Sequence, residues 1–64
     1  MRKYKVFYEV QLKVGVFDIM AEVEAVSSLE ARAKALKEIK ALCKENRIER
    51  EAKYISVKEE VSNG

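Results

Sequence analysis

The sequence predicts a small α+β domain with the element order β-β-α-β. Three observations predict it: apolar and polar residues alternate up to residue 26, a helix-start signal follows at Ser27, and a short apolar alternation returns at residues 55–57. A right-handed crossover through the helix places the third strand beside the first, so we expect a three-stranded sheet in the order 2-1-3. The single helix then covers one face of the sheet and leaves the other face open.

The first two strands are predicted from a period of two that changes parity near Gly15. A two-residue loop at Gly15 and Val16 would bring both apolar sets to one face, with Val14 opposite Phe17, because a type II′ turn requires glycine at its first central position. Phe7 is the one apolar residue in the otherwise polar row of the first strand. The residues predicted to face the core are Tyr4, Val6, Tyr8, Val10, Leu12, Val14, Phe17, Ile19, Ala21, Val23 and Ala25.

The helix is predicted to begin after Ser27 and to end near Glu45. Ser27 and Glu30 match the capping-box pattern, in which the first side chain accepts a backbone hydrogen bond from the second residue. Strong helix formers follow, and Asn46 is predicted to end the helix in a left-handed conformation. Spacings of three and four residues predict one buried stripe on this helix: Ala31, Ala35, Leu36, Ile39, Leu42 and Cys43.

The remaining segment is less regular. Residues 47–53 carry mixed charge around Ile48, and the pattern leaves open a loop, a bulge or a short extra strand near residues 47–52. The third strand is predicted around residues 54–57, with Ile55 and Val57 facing inward and Tyr54 facing outward. Residues 61–64 are predicted to fray at the end of a single domain that spans residues 1–64.

Composition places the chain among folded soluble domains. Its 64 residues carry 13 Lys and Arg against 11 Asp and Glu, for a net charge of +2, and 48% of them are hydrophobic. Lysine and glutamate dominate while proline and threonine are absent, which is typical of thermophiles. No run approaches the roughly 18 apolar residues of a membrane span and no signal-peptide core is present, so we expect a cytoplasmic protein without membrane contact.

The residues that most enzymes use are missing. Histidine, the usual general base and commonest metal ligand, is absent. Cys43 has no second thiol with which to bind zinc, and it is predicted to be a small buried hydrophobe. Gly15 and Gly64 cannot form a phosphate-binding loop. We therefore expect no catalytic residue, no metal, no cofactor, no small-molecule substrate and no enzymatic activity.

The open sheet face is the predicted site of function. The first hypothesis is a small regulator or inhibitor that docks this face, or an edge strand, onto another protein. The predicted contacts are Phe7, Met20 and Tyr54, with Lys5 and Lys58 at the rim. A second possibility is a structural homodimer, because a chain this short buries only about 60% of its unfolded surface by itself.

An alternative function is RNA binding or association with the ribosome. Cations outnumber carboxylates between residues 32 and 53, and they could contact phosphates while Phe7 and Tyr54 stack on bases. The predicted nucleic-acid contacts are Lys37, Lys40, Lys44, Arg47 and Arg50. A solvated helix face would carry the same residues, since lysines are favourable near a helix C-terminus.

One sequence resemblance supports this alternative. Residues 23–31 read V-E-A-V-S-S-L-E-A, preceded by K-V-F at residues 5–7 and followed by I-S-V at residues 55–57. This order resembles small archaeal β-β-α-β proteins such as ribosomal protein LX of the large subunit and its eukaryotic relatives. The resemblance implies the same fold and a place on the ribosome.

A second resemblance lies at the predicted hairpin. Residues 11–18 read Q-L-K-V-G-V-F-D, which is similar to the box that binds the DNA sliding clamp, with Asp18 at the second aromatic position. The resemblance implies an alternative function as a regulator of the clamp in DNA replication. In the predicted hairpin, however, Val14 and Phe17 pack in the core, where a clamp could not contact them.

Overall fold

A computed structural model describes residues 1–60 of the chain. It contains four elements: β1 (Arg2–Leu12), β2 (Gly15–Ala25), α1 (Ser28–Glu45) and β3 (Lys53–Glu60). Both β2 and β3 pair antiparallel with β1, so the strand order is β2-β1-β3. The predicted β-β-α-β fold and the 2-1-3 order are confirmed. The predicted frayed segment, residues 61–64, lies outside the described residues.

The core lies between α1 and the inner face of the sheet. Alternate residues of β1 from Tyr4 to Val10 are at most 4% exposed, which makes the central strand the most deeply buried one. On the helix side, Ala31 and Ala35 are fully buried, and their small side chains let the helix backbone approach the sheet closely. The buried residues are Tyr4, Val6, Tyr8, Val10, Ala21, Val23, Ala25, Ala31, Ala35, Ile39 and Cys43.

The loop of the β1–β2 hairpin lies two residues earlier than predicted. Leu12 pairs with Gly15, which leaves Lys13 and Val14 as the loop. The predicted type II′ turn at residues 15 and 16 is wrong, because both residues belong to β2 and pair with β1. Neither Lys13 nor Val14 has the positive φ that the primed turns require. Gly15 instead begins β2 with a φ of 148°, a value that other residues rarely adopt. A shift of two residues preserves parity, so each strand keeps its predicted inner face.

The inner face of the hairpin becomes exposed to solvent toward the loop. Val10 is buried, whereas Phe17, which lies opposite it on the inner face, is 49% exposed. Val14, in the loop, is 84% exposed. The prediction that Val14 and Phe17 belong to the core is therefore wrong. The shifted register places Val14 outside the strands, and burial on β2 begins only at Ala21.

The predicted start of α1 is confirmed. The Ser27 hydroxyl accepts a hydrogen bond from the backbone N–H of Glu30 at 3.2 Å, which satisfies one of the free donors of the first turn. The Glu30 carboxylate turns to the next helical turn instead of back to Ser27. Its Oε1 lies 3.1 Å from Nζ of Lys34, an i,i+4 ion pair on the helix surface.

The end of α1 is a Schellman motif centred one residue beyond the predicted cap. Asn46 has a φ of −93°, and the left-handed residue is Arg47, with a φ of 55°. The backbone N–H of Ile48 donates to the carbonyl of Cys43 at 2.8 Å, and that of Arg47 donates to the carbonyl of Lys44 at 3.2 Å. Ile48 packs against the core, so this ending is held by an apolar contact as well as by hydrogen bonds.

The buried stripe of α1 is narrower than predicted. Ile39 is 2% exposed, whereas Leu42 is 45% exposed, so the prediction that Leu42 is part of the stripe is wrong. The fully buried positions Ala31, Ala35, Ile39 and Cys43 follow a strict four-residue spacing. Leu36, one position beside Ala35, is half-buried against the core, whereas Leu42, one position beside Cys43, remains largely in solvent.

The chain after α1 contains no additional strand within the described residues. Residues 46–52 form turns and irregular backbone, so the suggested extra strand near residues 47–52 is wrong. The irregularity lies in β3 instead. Ser56 pairs with Phe7 and Tyr54 pairs with Tyr8, which leaves Ile55 as one extra residue in β3.

This β-bulge reverses the predicted faces of Tyr54 and Ile55. Residues before and after a bulge do not follow a single alternation, because the extra residue shifts the parity of the strand. Val57 faces inward as predicted, opposite Val6. Tyr54 also lies on the inner face, opposite Tyr8, and Ile55 is exposed. The prediction of an outward Tyr54 and an inward Ile55 is wrong.

We predict that Arg47→Gly stabilises the domain. A side chain in the left-handed region is strained, so glycine should raise the free energy of unfolding by about 0.5–1 kcal/mol even after its greater entropy in the unfolded chain. Urea unfolding measures this change. Arg50→Gly is the matched control, because Arg50 does not have a positive φ and should gain nothing. Equal effects of the two variants would contradict the assignment of strain to Arg47.

Candidate functional site

The sheet surface opposite α1 is uncovered by any part of residues 1–60, and we call it the open face. Phe7 lies near its centre on β1, between Met20 of β2 and Ser56 of β3. Strand pairing places these three side chains side by side across the sheet. The residues of the open face are Lys3, Lys5, Phe7, Glu9, Gln11, Val16, Asp18, Met20, Glu22, Glu24, Lys53, Ser56, Lys58 and Glu60.

Phe7 and Met20 form a small apolar centre on the open face. Phe7 is half-buried by its neighbours, and Met20 is 47% exposed. The Nζ of Lys58 lies 5.9 Å from the centroid of the Phe7 ring, within the range of a cation–π interaction. The flexible thioether of methionine can adapt to differently shaped partners. This part of the face therefore offers an aromatic ring, an adaptable side chain and a cation to a docking surface.

Lys5 connects all three strands through ion pairs. Its Nζ lies 3.0 Å from Oε1 of Glu60 on β3 and 3.9 Å from Oε1 of Glu22 on β2. The hydrogen bond to Glu60, together with the charge of that carboxylate, raises the pKa of Lys5 above its ordinary value. The charge of Lys5 is thus already balanced within the chain, which leaves Lys58 as the freer cation beside the apolar centre.

Charge divides the open face between its two edges. The outward row of β2 carries Asp18, Glu22 and Glu24 around Met20. Glu9 of β1 lies directly opposite Asp18, so two carboxylates meet there, and Lys53 lies on the other side of Glu9. The β2 side of the face is consequently acidic, while Lys53 and Lys58 make much of the β3 side basic.

Tyr54, one of the predicted partner contacts, is not on the open face. Its ring packs edge-to-face against Tyr8, with centroids 5.7 Å apart and planes at 74°. The guanidinium carbon of Arg32 lies 3.8 Å from the centroid of the Tyr54 ring, and the Tyr8 hydroxyl donates to the Arg32 carbonyl at 3.4 Å. Tyr54 thus joins β3 to α1, whereas Phe7, Met20, Lys5 and Lys58 share the open face.

The sequence carried only a weak signal for this arrangement. Tyr54 and Val57 are three residues apart, a spacing that places both on one face only if a bulge lies between them. The alternative pair, Ile55 and Val57, satisfies the ordinary alternation of a strand. The contact between Arg32 and Tyr54 could not be predicted from the sequence, because no local pattern connects two residues so distant in the chain.

A second surface, which we call the basic groove, lies between the C-terminal half of α1 and the loop that follows it. The groove has a volume of about 730 Å³. Its apolar floor includes Leu36, Cys43 and Ile48. Four cations surround it: Lys40, Lys44, Arg47 and Arg50.

The cations of the basic groove are unpaired within the part of the chain that the structure describes: no carboxylate oxygen there lies within 4.0 Å of any of the four. Four of the five predicted nucleic-acid contacts thus converge on one groove. The fifth, Lys37, lies beside the β2 edge with Lys34 and Glu38. Glu49 and Glu51 also line the groove and lower its local positive charge.

The hairpin end contains the residues that resemble a clamp-binding box. Residues 11–18 cover the end of β1, the loop and the start of β2. Val14 and Phe17 are exposed there, so the expectation that they lie out of reach of a partner is wrong. The segment is folded as an antiparallel hairpin in this structure.

Other kinds of site find little support in residues 1–60. No three His, Cys, Asp or Glu residues in this range are grouped so that they could hold a metal ion. Cys43 is a free, buried thiol in the core. Across the same residues, no helix combines the length and the apolar character needed to cross a lipid bilayer.

Comparison with known proteins adds no relative from which a function could be transferred. No protein-family model matches the chain, and neither a curated protein nor a solved structure matches it. The resemblances to ribosomal protein LX and to the clamp-binding box therefore stay predictions. The geometry of the open face and of the basic groove carries the functional argument.

We predict that Tyr54→Ala and Phe7→Ala differ in their effects on stability. Tyr54→Ala removes the contacts to Tyr8 and Arg32 and should lower the free energy of unfolding by about 2 kcal/mol, while Phe7→Ala should lower it by about 1 kcal/mol or less. Chemical denaturation of both variants measures the difference. A Phe7→Ala variant as unstable as Tyr54→Ala would mean that Phe7 is a core residue and not a surface contact.

Proposed function

We propose that this protein is a non-enzymatic interaction protein, acting as a small regulator or inhibitor that binds another protein through its open face. The observation that carries the proposal is the uncovered apolar pair of Phe7 and Met20 near the centre of the sheet. An aromatic ring surrounded by polar side chains is the usual arrangement of a protein-binding hot spot. The cation of Lys58 beside the ring adds a directional contact.

The charge pattern of the open face favours a selective partner. Acids on the β2 side and lysines on the β3 side require the opposite arrangement on the surface that docks there. The ion pairs of Lys5 hold its side chain between neighbouring strands, so part of this surface is ordered before binding. The chain contains no histidine, and its chemistry suits recognition better than proton transfer.

The proposal predicts that Phe7→Ala weakens binding of the cellular partner without unfolding the domain. Truncating a central aromatic contact typically reduces affinity by 2 kcal/mol or more, which corresponds to about 30-fold. The measurement is a tagged pull-down from a lysate of the source organism, treated with nuclease and read by mass spectrometry. A protein that the parent chain retains and Phe7→Ala loses is the expected result.

The matched control for this experiment is Leu29→Ala. Leu29 is an exposed apolar residue on α1 and therefore does not belong to the open face. Its truncation removes exposed apolar surface without changing the proposed binding face. The control variant should retain the partner. Retention of the partner by Phe7→Ala, with an unchanged yield relative to the parent, would refute binding through the open face.

RNA binding or ribosome association is the second candidate, and the basic groove is the observation that favours it. Four cations without a carboxylate partner in residues 1–60 surround one depression, a distribution that suits a phosphate backbone. Base stacking has less support than the sequence suggested, because Tyr54 packs against Tyr8. This leaves Phe7 as the aromatic residue of the open face.

The second candidate predicts a steep salt dependence. If four cations contact the phosphates of single-stranded RNA, affinity should fall about 50-fold between 50 and 200 mM salt. Fluorescence anisotropy with a labelled RNA oligonucleotide measures this dependence, and Lys44→Glu should reduce both the affinity and the slope. Lys3→Glu, on the open face and far from the groove in the fold, is the control. Binding that is indifferent to salt, or equal in both variants, would rule out the groove.

A further inference from the structure

We propose that the free edge of β2 captures an extended segment of the partner protein that carries lysine or arginine, and that this segment adds a fourth strand to the sheet. The inference rests on the proposed function, since it specifies how the partner of the open face is held and what chemistry it carries. Strand addition uses backbone hydrogen bonds for affinity and alternate side chains for specificity.

The backbone of β2 is oriented for this pairing. Leu12 and Gly15 close a two-residue loop and form a hydrogen-bonded pair, so the odd-numbered residues of β2 bond to β1. The even-numbered residues then direct their N–H and C=O groups toward the edge. The carbonyl of Glu24 accepts a hydrogen bond from Nζ of Lys34 at 2.7 Å, which agrees with this orientation. Within residues 1–60 no strand pairs with this side of β2, so the stretch from Val16 to Glu22 is open to a partner strand.

The two edges of the sheet differ in how they resist an added strand. The edge strand β3 contains the bulge at Ile55 and the lysines Lys53 and Lys58, features with which proteins blunt exposed edges. The pairing of β1 with β2 is regular over its whole length, and β2 contains neither proline nor lysine. The edge of β2 is therefore the more receptive of the two.

The acidic side chains of β2 favour a basic segment as the added strand. Asp18 and Glu22 flank Met20 at two-residue spacing on the open face. A paired strand would place its own side chains directly opposite, where lysine or arginine is favourable next to the acids and an apolar residue is favourable next to Met20. On the inner face, the exposed ring of Phe17 and the half-buried Ile19 would meet apolar side chains. The expected segment alternates basic and apolar residues.

The same charges oppose pairing with a second copy of this chain. A symmetric antiparallel pair of β2 strands centred on Met20 would place Asp18 opposite Glu22 twice, and like charges directly opposite are destabilising. Specificity that rests on disfavouring the wrong partner is common in strand and helix pairing. The acidic row thus blocks self-association while leaving the edge open to a basic segment.

The test uses two blocked eight-residue peptides, one alternating lysine and valine and the other alternating glutamate and valine. Each is titrated into the intact protein and followed by amide NMR shifts and hydrogen exchange. We expect the lysine peptide to shift and protect the amides of Asp18, Met20 and Glu22, while the amide of Glu59 on β3 is unchanged. The glutamate peptide should bind at least about tenfold more weakly.

Two variants separate the backbone from the charge. Met20→Pro removes an N–H group that points to the edge and is not bonded to β1, and proline is tolerated at such a position. The variant should weaken binding of the lysine peptide about tenfold or more. Met20→Ala keeps this donor and should weaken it only about threefold. Asp18→Lys reverses the charge at the edge. It also replaces the repulsion between Asp18 and Glu9, which lie opposite each other, by an attraction between lysine and Glu9, so the fold is retained. It should weaken the lysine peptide about three- to tenfold.

Several results would overturn the edge proposal. These are equal binding of the two peptides, equal binding of Met20→Pro and Met20→Ala, and shifts confined to Phe7 and Lys58. A dimer mass in light scattering, with the β2 amides protected before peptide is added, would assign the edge to a second copy. Loss of the cellular partner by Phe7→Ala with no peptide binding would refute the edge alone. Edge binding of the peptide with partner retention by Phe7→Ala would refute the open face alone.

Discussion

The packing of α1 against the inner face of the sheet is the interaction on which the rest of this structure depends. Val6 and Val10 of β1 and Ile39 of α1 belong to one buried cluster, and each is at most 2% exposed. A chain of this length has a small core, so one helix must supply most of its cover. Alanines at positions 31 and 35 bring the helix close to the sheet. Because one helix covers one face, the opposite face of the sheet is uncovered by any part of residues 1–60.

A single extra residue in β3 decides which aromatic side chains support the fold and which face outward. The bulge at Ile55 turns Tyr54 toward α1, where Tyr8 and Arg32 enclose it. Without the bulge, Tyr54 would lie near Phe7 and form an aromatic platform typical of RNA-binding sheets. The actual arrangement leaves Phe7 beside Met20, which is better suited to a protein surface.

The small net charge of +2 hides a strong separation of charge. The outward row of β2 is acidic, while the basic groove gathers four cations on the other side of the helix. Under the proposed function, opposite charges on different surfaces would favour different classes of partner, because a surface of one sign repels ligands of the same sign. The free edge of β2 and the open face are continuous, so a strand added at the edge would extend the same docking surface.

The sequence by itself determined the element order, the N-cap of α1 at Ser27 and the inner faces of β1 and β2, because alternation and capping depend on neighbours in the chain. Most of the open face could be predicted for the same reason. Only the tertiary structure decided the hairpin loop, the bulge at Ile55 and the exposure of Leu42. It also decided that the cations around Arg47 converge on one groove. These features depend on register and packing between distant segments, which a local pattern does not encode.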